Sequence, residues 1–282
     1  MKKILVPTDF SKPSLAALET GIELAKRAGA TITLLHVVEQ AVVDSYTISG
    51  EGHPDETQER IFTAAMIKKS REQLTKLVMD PKFKNVTVNG ELKLGNPYHG
   101  IRSIITEHHP DLVIMGTIGN SSIERMIIGT NTERVVRTMD CPVLTVHKKP
   151  SRFDFKNIVY ATTMSEDEES FARVVKRMQE LFKATIHLVR INTPSDFQRD
   201  RSVKKFMHQY AKRLGLKNIT INVYSDLSPE EGIIYFADEI GADLICMATH
   251  GRSGFAHVLA GSVAEDVVTH SRRPVLTWVL PR

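Results

Sequence analysis

Asp111-Leu112-Val113-Ile114-Met115-Gly116-Thr117-Ile118-Gly119 returns 132 positions later as Asp243-Leu244-Ile245-Cys246-Met247-Ala248-Thr249-His250-Gly251. The same offset carries Gly129-Thr130 onto Gly261-Ser262, Glu133 onto Glu265, and Pro142-Val143-Leu144-Thr145 onto Pro274-Val275-Leu276-Thr277. A gapless offset over four separate blocks is the signature of a duplicated unit. Toward the N-terminus the offset becomes 154, with Lys156-Asn157-Ile158-Val159-Tyr160-Ala161-Thr162-Thr163 answering the start of the chain and Thr163 answering Asp9. The first copy therefore carries about 22 extra residues, expected in the polar stretch Glu39–Glu59.

Within a copy, apolar strands alternate with amphipathic helices. In the first, Lys3–Pro7, Thr31–Val38, Asn85–Leu92, Asp111–Met115 and Pro142–Val146 read as strands. Ser14–Arg27 places Leu15, Leu18, Ile22 and Ala25 on one helical face, and Gly29 suits its stop. Gln58–Met79 has helical spacing, Asn96-Pro97 opens a helix that ends near His108, and Thr130-Asn131-Thr132-Glu133 opens another. In the second copy Ser228-Pro229-Glu230-Glu231 is a capping box. The order β-α-β-α-β-α-β-α-β requires right-handed crossovers and helices on both faces of a parallel sheet. The expected fold is α/β, with two tandem doubly wound five-stranded parallel sheets over 1–148 and 152–282. In the strand order 3-2-1-4-5, the last strands Val143–Val146 and Val275–Trp278 are apolar edges. Pairing them within the chain about a pseudo-two-fold axis covers both; a homodimer through such strands is the other option.

The 282 residues are 41% hydrophobic and 25% charged, enough apolar mass for packed cores. No apolar run reaches the roughly 18 residues of a membrane span. The start meets Asp9 too early for a signal-peptide core, which makes cytoplasm the expectation. Cys141 and Cys246 sit in apolar runs and read as core residues. Eleven histidines show no paired ligand spacing, so no metal site is expected. The net charge of +4 is spread along the chain, which argues against a nucleic-acid stripe.

Ligands of such sheets sit beyond the carboxyl ends of the strands. There the first copy has Gly116-x2-Gly119-x9-Gly129-Thr130. The glycines permit close backbone approach, and the following helix start presents amides and a positive dipole end to an anion. Thr130-x-x-Glu133 and Ser262-x-x-Glu265 equally fit capping boxes, in which the hydroxyl serves its own helix. Neither a P-loop nor a G-x-G-x-x-G motif is present.

Pro7-Thr8-Asp9-Phe10-Ser11 and the glycine-spaced loop, flanked by Asp-Leu-Val-Ile-Met and Pro-Val-Leu-Thr-Val, resemble the universal stress protein family. Met247-Ala248-Thr249-His250-Gly251-Arg252-Ser253-Gly254 with Gly261-Ser262-Val263-Ala264-Glu265 resembles it again. The resemblance covers almost the whole chain. It implies a Rossmann-like fold of the adenine nucleotide alpha hydrolase type and an ATP site. The base and ribose side would be Pro7, Thr8, Asp9, Val37, Met115 and Gly116; the phosphate side would be Gly119, Gly129, Thr130, Asn131 and Thr132. In the second copy the matching positions are Ala161, Thr162, Ile191, Met247, Ala248, Gly251, Gly261, Ser262, Val263 and Ala264.

Departures divide the copies. Ile118 and Asn120-Ser121-Ser122 thin the basic loop of the first, where Arg125 offers a charge. In the second, Thr163 replaces the aspartate, Ala248 the glycine, and Ser165-Glu166-Asp167-Glu168-Glu169 places acids at a helix start, where the dipole suits them. The expected activity is adenine-nucleotide binding by the first copy in a stress or signalling module, with the second copy binding it weakly or binding another ligand, and with at most weak ATP hydrolysis and magnesium left open; the opposite assignment of the copies stays open, because the second retains Gly251, Gly261 and Ser262 in the more typical phosphate loop. The alternatives are a slow ATPase and a nucleotide-free scaffold for another small ligand.

Overall fold

The computed structural model describes residues 1–39, 56–117, 128–148, 153–249 and 263–280. Strands β1 (Lys3–Pro7), β2 (Thr31–Val38), β3 (Val88–Leu94), β4 (Leu112–Gly116) and β5 (Val143–Val146) alternate with helices α1 (Lys12–Ala28), α2 (Glu56–Val78), α3 (Pro97–His108) and α4 (Thr130–Thr138). The second half repeats the order with β6 (Asn157–Ala161), β7 (Thr185–Asn192), β8 (Ile219–Ser225), β9 (Leu244–Thr249) and β10 (Val275–Val279). Its helices are α5 (Glu169–Phe182), α6 (Asp200–Leu214), α7 (Pro229–Glu239) and α8 (Val263–His270).

All strands join one sheet in the order β3-β2-β1-β4-β5-β10-β9-β6-β7-β8. Each half is the doubly wound 3-2-1-4-5 arrangement, and the two merge through their last strands. That joint is antiparallel, with Leu144 opposite Leu276, Thr145 opposite Val275 and Val143 opposite Thr277. The Thr145 hydroxyl donates to the Val275 carbonyl at 3.2 Å and the Thr277 hydroxyl to the Val143 carbonyl at 3.4 Å. Both edges are satisfied reciprocally, as the pseudo-two-fold axis requires. Every other neighbouring pair is parallel.

The repeated aspartate has a structural reason. Asp111 accepts from the Lys2 and Lys3 amides at 2.5 and 3.1 Å, and Asp243 accepts from the Lys156 and Asn157 amides at 2.9 and 2.8 Å. Each pins the start of its first strand beside its fourth, which fixes the height of the opposite, carboxyl edge.

Alternate strand residues feed two cores. One face buries Ile4, Val6, Leu34 and Ile114 under α1 and α2, and continues through Tyr160 and Ile186 under α5 and α6, where Phe155 and the α5 residues Phe171 and Phe182 join it. The other buries Leu5, Leu35, Val113 and Met115 under α3 and α4, and continues through Val189, Ile245 and Met247 under α7 and α8. Phe153, Phe155 and Phe182 stack with centroids 4.8–5.6 Å apart, and Arg27 of α1 lies 4.9 Å from the Phe182 ring. Phe153 and Phe155, just ahead of β6, are thereby packed into the first core.

The extra length of the first half is distributed more widely than Glu39–Glu59. α2 has 23 residues against 15 in α6, and Val78 to Val88 is a longer passage than Leu214 to Ile219. The remainder falls in residues 39–55, of which 40–55 lie outside the described residues. Polar helix extensions escape a pattern search because they keep the helical period while burying little. Leu15 is only half-buried and Leu24 fully buried, a small rotation of the predicted α1 face.

Candidate functional site

The turn after β1 is built by short polar side chains. The Thr8 amide donates to the Leu35 carbonyl at 2.8 Å, and His36 Nδ1–H donates to the Thr8 carbonyl at 2.8 Å. The Thr8 hydroxyl, buried, meets the Ser14 hydroxyl at 3.0 Å and accepts from the Phe10 amide at 3.0 Å. Phe10 takes a left-handed conformation with φ of 65°, its ring 4.3 Å from that of His36. Ser11 caps α1 by accepting from the Ser14 amide.

Asp9 stands exposed at the tip and accepts from the Ser11 amide at 3.0 Å. Partial burial pushes its carboxyl up, but bonds from Ser11 and Ser14 outweigh that and hold it below the usual carboxylate range. It is an anionic acceptor at neutral pH.

Pro7 and Val37 are half-buried and Met115 is buried, all at the carboxyl edge of the face that carries α3 and α4. Leu5 pairs with Val113, so Pro7 and Met115 follow two residues on in the same register. α3 closes down on Val37: a Cβ at Gly100 would lie 2.7 Å from Val37 Cγ2. The equivalent contact in the second half is Gly232 against Ile191, again at 2.7 Å.

Gly116 faces the opposite way. A Cβ there would sit 2.4 Å from the Pro13 carbonyl carbon and oxygen. The glycine therefore admits the start of α1 against β4, on the face opposite Pro7, Val37 and Met115. In the second half Ala248 holds the position, and a 3-10 turn, Glu166–Glu168, precedes α5 where α1 is already helical.

α4 is capped by Gly129, in extended conformation (φ −68°, ψ 139°) and with no side-chain cap. The capping-box expectation for Thr130 is thus corrected: Thr130 is the first helical residue and exposed, with Asn131 half-buried beside it. Thr132 turns its hydroxyl inward to the Gly116 carbonyl at 3.0 Å, clamping α4 to the end of β4. Ala264, its counterpart, has no hydroxyl to do this and is buried; Val263 stands where the first half has Asn131. Gly119, Ile118, Asn120–Ser122, Arg125, Gly251, Gly261 and Ser262 lie outside the described residues.

Beyond Gly116, Thr117 is buried and donates its hydroxyl proton to His147 Nδ1 at 2.5 Å, while His147 Nε2–H donates to the Val268 carbonyl of α8 at 3.1 Å. Burial lowers the His147 pKa, and the carbonyl bond offsets this only in part. The neutral ring links the base of the glycine loop to the other half.

The turn after β6 holds a residue that the sequence pattern concealed. Glu168 is 2% exposed. Its carboxylate accepts from the Thr163 amide at 3.0 Å, the Thr163 hydroxyl at 2.7 Å, the Thr162 hydroxyl, and the Tyr160 hydroxyl at 3.4 Å. Tyr160 and Tyr210 share a hydrogen bond at 3.0 Å, and burial with the Glu168 charge pushes the Tyr210 phenol up to about 12. The neighbouring acids Glu166 and Asp167 are exposed, and Arg213 pairs with Glu169 at 3.1 Å. Among the described residues no cluster of three metal-ligating side chains occurs, and both cysteines are buried and unpaired. Among them, too, no helix is long and apolar enough to cross a membrane.

The whole-chain likeness is clear in both sequence and shape. The family model described as the universal stress protein family matches residues 1–147 and again 154–278. A universal stress protein of Methanocaldococcus jannaschii is 32% identical over 151 residues, 54% of this chain and 84% of that one. A putative universal stress protein of Staphylococcus haemolyticus is 27% identical over 156 residues, 55% of this chain and 90% of the other. The crystal structure of a universal stress protein from Archaeoglobus fulgidus superposes with a TM-score of 0.78 at 18% identity, covering 99% of this chain and 98% of that one, so the fold is shared end to end. With two successive matches to one family model and a sheet that repeats its strand order, the chain belongs to the universal stress protein family, as a tandem of two such units.

Proposed function

We propose that the first unit, 1–148, binds an adenine nucleotide such as ATP, and that the second, 152–282, completes a two-unit module whose packing or partner choice the nucleotide biases. The supporting observation is the convergence at one sheet edge of a helix start capped only by Gly129, an exposed carboxylate at Asp9, and the apolar surfaces of Pro7, Val37 and Met115. Apolar surface suits a flat base, Asp9 accepts from a ribose hydroxyl or an exocyclic amine, and the Thr130–Thr132 amides suit phosphate oxygens. The thinned loop chemistry at Ile118 and Asn120–Ser122 favours binding over turnover, because phosphoryl transfer needs charge placed on the γ-phosphate.

Equilibrium binding of labelled ATP to the wild type and to Gly129→Val tests this. Gly129 has an extended backbone that valine adopts without strain, so the fold is retained while the side chain obstructs the helix start. Binding to the wild type and a loss of at least tenfold in the variant is the expected result. Equal affinity in both would overturn the assignment of the phosphate end, and binding to neither would overturn the nucleotide reading.

A further inference from the structure

The turns after β1 and β6 contain the same two chemical parts with their places exchanged. In the first, the carboxylate is at the tip, on Asp9, and a hydroxyl is on the helix, on Ser14. In the second, the hydroxyl is at the tip, on Thr163, and the carboxylate is on the helix side, on Glu168. The repeat offset of 154 places Thr163 on Asp9 and Glu168 on Ser14. The exchange moves the negative charge from an exposed tip to a position 2% exposed beneath the turn.

The consequence is a difference in what each tip can offer a ligand. Asp9, exposed at the tip, is an ionised acceptor that takes bonds from Ser11 and Ser14 and has its remaining acceptor capacity open to solvent. Thr163 commits both its amide and its hydroxyl proton inward to one Glu168 oxygen, at 3.0 and 2.7 Å, while the Thr162 hydroxyl takes the other. A buried carboxyl group stripped of its donors is costly, so these protons are held by the cost of releasing them. At the phosphate end Val263 stands where the first unit has the half-buried Asn131 amide.

We propose that Glu168 is a built-in occupant of the second unit's turn, a positioning residue that engages the donor protons of the exposed Thr163 and confines nucleotide binding to the first unit at one equivalent per chain. This rests on the nucleotide reading above and adds stoichiometry and cause to it. A lone Thr163→Asp change does not reverse it, because the new carboxylate would face the buried one; the two positions must be exchanged together.

The test counts ATP bound per full-length chain by equilibrium dialysis, with circular dichroism and thermal melting to establish folding. Wild type should bind one equivalent. Thr163→Asp with Glu168→Ser gives the second turn the parts of the first, and the Tyr160 and Tyr210 hydroxyls still satisfy each other. It should bind two equivalents. Asp9→Thr with Ser14→Glu gives the first turn the parts of the second and should bind none. Two equivalents in the wild type would overturn the proposal while leaving the nucleotide reading intact. So would one equivalent in a folded Thr163→Asp/Glu168→Ser chain, or full binding by Asp9→Thr/Ser14→Glu should the first double variant not fold. No binding in the wild type would remove the nucleotide reading and the proposal with it.

Discussion

The first and second halves of this chain share a sheet order, the aspartate that anchors the first strand, and the glycine that lets the third helix of each half rest on the second strand. They differ at the carboxyl edge. The first half brings α1 tight against Gly116, ties Thr132 of α4 to the Gly116 carbonyl and leaves Asp9 outside. The second half carries a methyl at Ala248, begins α5 with a 3-10 turn and draws Glu168 inside. Duplication preserved what holds the sheet together and let the edge diverge. Architecture depends on contacts within the cores, whereas binding chemistry depends on a few groups at the rim, which can change without unfolding anything.

The largest effect should come from forcing one half's solution on the other at the β4–α1 contact. Gly116→Ala places a Cβ 2.4 Å from Pro13 backbone atoms, which no side-chain rotation relieves. It should destabilise the chain by about 3 kcal/mol in denaturant unfolding. The mirror change Ala248→Gly should cost only ~0.5–1 kcal/mol, mainly in backbone entropy. Equal costs would show that the two helix starts approach the sheet alike.

Next is the buried carboxylate. Glu168→Ala leaves the hydroxyls of Thr162 and Thr163 and the Thr163 amide without their acceptor, and should cost roughly 2 kcal/mol. Ser14→Ala, which removes a neutral hydroxyl pair with Thr8, should cost about 1 kcal/mol. A smaller loss at Glu168 than at Ser14 would contradict the placement of the charge inside the second turn.

The smallest effect is a pH dependence at the joint. His147 has its pKa lowered by burial from 6.5. Below about 6.5 the unfolded chain therefore takes up a proton that the folded chain refuses, and stability falls as pH drops from there toward the folded value. The equivalent position in the second half is Val279. His147→Val should reduce the slope of stability against pH between 6.5 and the folded value, whatever its effect on stability at pH 8. An unchanged slope in chemical unfolding at a series of pH values would show that His147 does not titrate differently in the two states.

Much of this architecture could be read directly from the chain. A constant offset identified the duplication, alternating strands and helices required a parallel sheet, and two apolar edge strands in one chain required a partner that each finds in the other. The features that escaped are those in which one residue type serves two masters. Glu168 sits in a run of acids suited to a helix dipole, and only spacing separates it from its neighbours. It lies three or four residues before Phe171 and Ala172, in the helical series that continues to Val175, Met178 and Phe182, all buried. Thr130 matches a capping box, yet Gly129 is the cap, because hydroxyl identity alone does not say where a helix begins. Gly116 belongs to a glycine-spaced loop but answers to α1, since a sequence does not show in which direction an absent Cβ would have pointed.

The most direct test of the account is the electron density of crystals of the full chain soaked with ATP. One nucleotide should appear, its base at the edge formed by Pro7, Val37 and Met115, its ribose within hydrogen-bond reach of Asp9 and its phosphates at the start of α4. A nucleotide bound only at Ile191 and Met247, or one in each half of the ten-stranded sheet, would contradict it.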